Sequence, residues 1–183
     1  MSLSDLQTRK LSHYFALLDE DESGYLELQD FVRSGNRCAE AFGYDPGSAE
    51  AEKIRVEWTK FWEAGIASAD LGGDGKISKE ELFTVIGALA QRPETYDTAF
   101  RPSVDAYIDI IDGNGDDQVT QEEYVRLLTA ICELDQPRAA EAFDKLDVGR
   151  KGHLSREELH HAVKEFYFST DPQAPGNWTF GSF

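Results

Sequence analysis

Apolar residues recur along this chain at intervals of three and four, the spacing that lines one face of an α-helix. Ile54, Trp58, Phe61, Trp62 and Ile66 form one such stripe, and Tyr107, Ile108 and Ile111 another. The alternation that a half-buried strand requires is nearly absent, so an all-α fold is expected. Four times the helical runs give way to the same polar grammar: an aspartate, then eleven residues with a turn-former near the middle and an acid at the end, then a new apolar run. These segments begin at Asp19, Asp70, Asp112 and Asp147. Their spacings of 51, 42 and 35 residues are too irregular for a solenoid and suit helical hairpins with linkers of different length.

Three of the four segments announce a helix directly. Ser78, Thr120 and Ser155 each stand three residues before a glutamate, Glu81, Glu123 and Glu158, the spacing at which hydroxyl and carboxylate cap each other's backbone. Chain breaks are expected at Tyr44-Asp45-Pro46-Gly47 and at Gln91-Arg92-Pro93, while Pro137 suits the first turn of a new helix. The stretch 169–183 is different material, with two prolines, two glycines and the aromatics Trp178, Phe180 and Phe183. Leaving those rings in water is costly, which predicts that the tail packs on the body.

Composition narrows the chemistry. Acids outnumber bases 35 to 18, a formal charge of −17 that opposes docking on nucleic acid or on an anionic membrane. Of those 35 acids, 18 lie in the four twelve-residue segments, so the charge is concentrated for a purpose. At 40 % hydrophobic and 11 % aromatic the chain is globular. It holds no run of 18 apolar residues and no apolar core of a secretion signal in its opening residues, so neither a membrane span nor ordinary export is expected. Cys38 and Cys132 are too few for a disulfide framework; they are expected as core thiols in a reducing compartment, the cytoplasm.

A hard divalent cation takes oxygen ligands at about 2.3–2.6 Å when it is calcium, and a twelve-residue loop supplies them from positions 1, 3, 5, 7, 9 and 12, position 7 through its carbonyl. Position 6 turns sharply and position 8 is apolar, where two loops pair. In the first segment Asp19, Asp21, Ser23, Tyr25, Glu27 and Asp30 fall on the ligand positions, with Gly24 at the turn and Leu26 at position 8. Asp30 is one methylene shorter than a glutamate, which favours magnesium there or weakens calcium. In the second, Asp70, Asp74, Lys76, Ser78 and Glu81 match around Gly75 and Ile77, but Gly72 brings no side chain to position 3, so a water must replace it. In the third, Asp112, Asn114, Asp116, Gln118, Thr120 and Glu123 all match, with Asp117 at the turn, a residue that tolerates the left-handed region. The fourth keeps Asp147, Gly152, Leu154, Ser155 and Glu158 but has Gly149 at position 3 and Lys151 at position 5. A cation at a ligand position repels the ion, so this loop is expected to be a silent mate that pairs Leu154 with Val119. One such segment alone is indistinguishable from a solvated turn; four in register, each with an apolar position 8, are not.

These segments resemble EF-hand loops. Four hands in a chain of this length, a long first linker and the tail Ala174-Pro175-Gly176-Asn177-Trp178 resemble the sarcoplasmic calcium-binding proteins and their bacterial relative calerythrin. The resemblance implies four helix-loop-helix units in two pairs, 1–92 and 93–168, forming one compact body with the tail 169–183 packed on it. It also implies a monomeric intracellular calcium buffer or carrier, with calcium ions as its partners and no obligatory protein target. Two other functions follow from relatives of this fold: a sensor that opens a groove for a target helix, and a carrier of an apolar small molecule in a cavity lined by Trp58, Trp62 and other aromatics. No enzyme is expected, because H-E-x-x-H, G-x-S-x-G and Walker motifs are missing. His13, His153, His160 and His161 are expected as surface or partly buried residues.

Overall fold

Helices start where the chain carries its caps. The computed structural model describes residues 3–112, 114–132 and 134–183; Met1, the single methionine, lies outside them. Helix α1 (Asp5–Leu18) follows Ser4, whose hydroxyl accepts the Gln7 N–H while the Gln7 side chain returns to the Ser4 backbone. After α2 (Leu28–Ala41) the chain breaks around Pro46, and Ser48 caps α3 (Ala49–Phe61). Ser78 and Ser155 cap α4 (Lys79–Ala90) and α9 (Arg156–Phe168) through the expected reciprocal bonds to Glu81 and Glu158. Between them lie a short α5 (Tyr96–Ala99), α6 (Arg101–Ile111), α7 (Gln121–Cys132) and α8 (Gln136–Leu146), the last with Pro137 in its first turn. The reciprocal cap at Thr120 and Glu123 precedes α7.

The stripe from Ile54 to Ile66 does not make one continuous α-helix. After Phe61 the chain widens into a π-helical turn, Trp62–Ile66, and then tightens into a 3₁₀ turn, Ala67–Ala69. Across this change of pitch Trp58, Trp62 and Ile66 stay buried, at 3 %, 8 % and 6 % exposed. Both indoles meet Phe31, at ring-centre distances of 6.4 and 5.1 Å.

Strand β1 (Tyr25–Leu26) pairs antiparallel with β2 (Ile77–Ser78), and β3 (Gln118–Thr120) with β4 (His153–Ser155). Leu26 lies opposite Ile77 and Val119 opposite Leu154, and all four are buried. The acidic segments are thereby joined first to second and third to fourth. The helices of the two halves interleave, with α2 on α3 and α7, α6 on α3 and α9, and α1 on α9, α4 and α7, around one continuous apolar core. Within it lies a cavity of about 330 Å³ lined by Tyr14, Trp58, Phe61, Tyr107, Tyr167 and Phe180 among others.

The tail packs as expected, chiefly through Phe180, whose ring sits 4.6 Å from Tyr14 and 4.8 Å from Phe166. Trp178 and Phe183 are half-buried, beneath Lys145 and Arg9 respectively. The turn Pro175–Trp178 lies so close on α9 that a Cβ on Gly176 would fall 2.3 Å from the Ala162 carbonyl oxygen. Lys10 clasps this arrangement: its buried ammonium donates to the carbonyls of Glu165 and Ser169 and to Asn177 Oδ1, at 3.1, 3.0 and 2.9 Å. The two carbonyls belong to the C-terminal end of α9, where orphan acceptors favour a cation.

Candidate metal centres

All four segments turn their backbone at the same two positions. The residue at position 6 has positive φ in each: Gly24, Gly75, Asp117 and Gly152, at 83°, 82°, 59° and 80°. Position 4 does too, a regularity not apparent from residue type because Glu22 and Arg150 stand there beside Gly73 and Gly115, at 53°, 50°, 71° and 73°. The turn aims successive amides inward, where the first aspartate collects them. Asp19 accepts from Ser23 and Gly24, both at 2.9 Å, and Asp147 from Lys151 and Gly152 at 2.9 and 2.7 Å. Asp70 accepts from Gly73 and Gly75 at 2.6 and 2.9 Å, and Asp112 from Gly115 and Asp117, each at 2.8 Å. These amides, led by that of Gly75, hold the Asp70 carboxyl below its usual range.

The last acid of each segment closes the loop from the other side. Glu81 accepts the Ser78 N–H at 2.9 Å through one oxygen and the Gly72 N–H at 3.0 Å through the other. Bonds to Ser78 lead in lowering its pKa. Glu123 accepts from the Thr120 N–H and hydroxyl at 2.9 and 2.8 Å. The loops at Asp19, Asp70 and Asp112 therefore present a hard-oxygen donor set of carboxylates, hydroxyls and carbonyls, which suits a hard divalent cation.

The loop at Asp147 differs in holding a cation at a ligand position. There the Lys151 ammonium donates to Glu158 Oε2 at 2.6 Å, which lowers the glutamate pKa to about 2, with help from Ser155. The first loop carries cations of its own as well. Arg33 bonds Asp21 Oδ2 at 3.0 Å and also grips Asp30, while Lys76 reaches across from the second loop to Glu27. Asp30 is 2 % exposed; burial leads in raising its pKa, against the lowering by the Glu27 N–H and by Arg33. Among the described residues no three Asp, Glu, His or Cys side chains converge on one point as a metal centre would require. The acids are arranged in order along each loop but are held by amides and by the chain's own cations.

Sequence reasoning left Arg33 unmentioned, although it stands three residues beyond Asp30 on α2, a spacing that puts the two side chains together. His160 is a correction. It is not at the surface but 2 % exposed, between the Tyr96 hydroxyl at 3.0 Å and Asp105 at 2.9 Å. Cys38 and Cys132 are buried free thiols, and burial pushes both pKa values up to about 12.

The EF hand family matches at residues 66–85, which contain the whole second segment. Calerythrin of Saccharopolyspora erythraea is 32 % identical over 161 residues, covering 87 % of this chain and 90 % of its own. Two solved structures share the fold. The coelenterazine-binding protein of Renilla muelleri, in its calcium-loaded apo form, matches with a TM-score of 0.79 at 21 % identity, over 99 % of this chain and all of its own. The sarcoplasmic calcium-binding protein of amphioxus matches with a TM-score of 0.75 at 17 % identity, over the same shares.

Proposed function

Since the chain belongs to the calerythrin family of EF-hand proteins, we propose that it is a calcium-binding protein acting as a buffer or carrier, with calcium held by the loops at Asp19, Asp70 and Asp112. One observation carries the assignment: in all these loops the first aspartate is set by inward amides while the ligand positions present hard oxygens. The ligands are Asp19, Asp21, Ser23, Glu27 and Asp30; Asp70, Asp74, Ser78 and Glu81; and Asp112, Asn114, Asp116, Thr120 and Glu123. The position-7 carbonyls of Tyr25, Lys76 and Gln118 complete them. The fourth loop stays silent because Lys151 already supplies a positive charge to Glu158. Bound calcium would supply charge that neutralises the carboxylates ordered along each loop and would tie the two helices of a hand together.

A buffer rather than a sensor is favoured by the side chains. Sensors open a methionine-rich groove that repacks on target helices. Here the residues flanking the loops are Phe15, Leu18, Phe31, Leu82, Ile108, Ile111, Tyr124, Phe143 and Leu159, all buried and interlocked by branching or aromaticity. Calorimetric titration with calcium, with and without magnesium, tests the assignment. Three ions are expected, and four in Lys151→Asp. Four in the wild type, or loss of a site in Asp147→Ala, would refute it.

The cavity favours a second reading, carriage of an apolar small molecule. Its walls mix aliphatic with aromatic side chains, including Trp58 and the tyrosines Tyr14, Tyr107 and Tyr167, while Trp62, expected in the wall, lies outside the lining. Solvent extraction of protein purified from its native host, followed by mass spectrometry, would show an organic ligand at near one equivalent if this reading holds.

A further inference from the structure

We propose that Arg33 is a built-in competitor for the ion of the first loop, so that calcium enters there only by displacing its guanidinium and fills this loop last. The inference rests on the reading that the first loop binds calcium at all. Two of that loop's ligand positions, 3 and 12, are Asp21 and Asp30, and a single nitrogen, Arg33 Nη2, bonds both of them. The other oxygen of Asp30 accepts the Glu27 N–H at 2.8 Å, so both oxygens of the closing carboxylate are held by the chain itself. At position 9, Glu27 is engaged by Lys76 from the paired loop. Three of the four carboxylates in this donor set thus carry a protein cation, and the fourth, Asp19, is held by amides.

The device differs from that of the fourth loop in its tether. Lys151 lies inside its loop at position 5, with its ammonium on the closing Glu158 at 2.6 Å. Arg33 stands outside, on the first turns of α2, and has somewhere to go. Its Nε already lies 3.4 Å from Glu20 Oε2, a carboxylate at a non-ligand position of the same loop. A displaced guanidinium can close on Glu20 while the ion takes Asp21 and Asp30. The displacement also connects the two halves, because Glu20 is shared with Arg37 at 3.1 Å, and Arg37 reaches the Ile131 carbonyl near the end of α7. Competition by an internal cation lowers apparent affinity without altering any ligand, so it is invisible in the loop pattern.

The test is calcium titration of wild type, Arg33→Ala, Arg33→Gln and Arg33→Lys, followed by heteronuclear NMR. The amide of Gly24, the turn residue of the first loop, reports that loop separately from Gly75 in the second. Arg33→Ala and Arg33→Gln are expected to tighten the first loop by roughly five- to tenfold, the size of two partly exposed ion pairs, and to leave the Gly75 midpoint in place. Arg33→Gln keeps the aliphatic stem and guards against loss of packing in the alanine variant. Arg33→Lys, still cationic, should stay near wild type. The ion-free alanine and glutamine variants should also melt lower, because the acids they leave behind repel. An unchanged or weaker first-loop midpoint in both neutral variants, with Gly24 still responding to calcium, would overturn the competition. A Gly24 amide silent to calcium in every variant would instead overturn the reading that the first loop binds.

Discussion

Gly72 is the one place in the second loop where a ligand position holds no side chain, and the backbone there is ready for one. A Cβ added at Gly72 would lie 3.5 Å from Glu81 Oε1 and 3.9 Å from Asp70 Oδ1, ordinary contacts that point it between the two outer ligands. Gly72→Asp is therefore expected to tighten calcium at this loop by about tenfold, since charge count at the ligands tunes EF-hand affinity. The ion-free variant should melt lower, because a fourth carboxylate joins Asp70, Asp74 and Glu81 without relief. Calorimetry and thermal melts in chelator check both halves. An affinity that does not move would mean that the bond from the Gly72 amide to Glu81, rather than a missing ligand, governs this site.

Among the elements, the junction of α1, α9 and the tail encloses a buried charge. Burial lowers the Lys10 pKa from 10.5 to about 8, against the opposing pull of Glu165. The unfolded chain then holds this proton up to about pH 10.5 and the folded chain only to about pH 8, so between those values the unfolded state binds more protons. Stability gains with rising pH through that window from this residue, and its cost is fully present below it. Measured by urea unfolding, the wild type should gain on Lys10→Met as pH rises from 8 to 10.5. A constant difference between the two would show that the ammonium is not destabilised by its site. The helix leading into the second loop changes pitch without losing its packing: across the π turn at Trp62–Ile66 both indoles still meet Phe31 and Ile66 stays buried.

For the molecule as a whole, charge is the dominant expectation. Three calcium ions would move the formal charge from −17 to −11, at loops that hold 15 of the 35 acids. At a hundredfold excess over its dissociation constant each ion adds about 2.7 kcal/mol, or about 5–10 °C of melting temperature in a protein of this size. Melting should therefore rise strongly with calcium and fall back with chelator. A hydrophobic dye should bind the filled protein less than the ion-free one, since the ions order an interlocked core rather than open a groove. Stronger dye binding on adding calcium, with tight capture of amphipathic peptides, would move the assignment to a sensor.

The loops, their caps and their pairing residues were readable along the chain because each is a local matter. A twelve-residue loop, a serine three positions before a glutamate and a proline in a first turn obey rules that span a few backbone bonds. Even the Arg33 contact with Asp30 was within reach, being a helical i, i+3 pair. The rest joins residues far apart in sequence. Lys76 meets Glu27 because β1 pairs with β2, and His160 bridges Tyr96 to Asp105 because α9 lies against α5 and α6. Lys10 finds Ser169 and Asn177 because the chain's two ends meet beside α9. Acidic positions announce where a cation belongs, but whether a calcium ion or one of the chain's own ammonium and guanidinium groups reaches them depends on which helix faces come together, and many faces are compatible with the same local pattern.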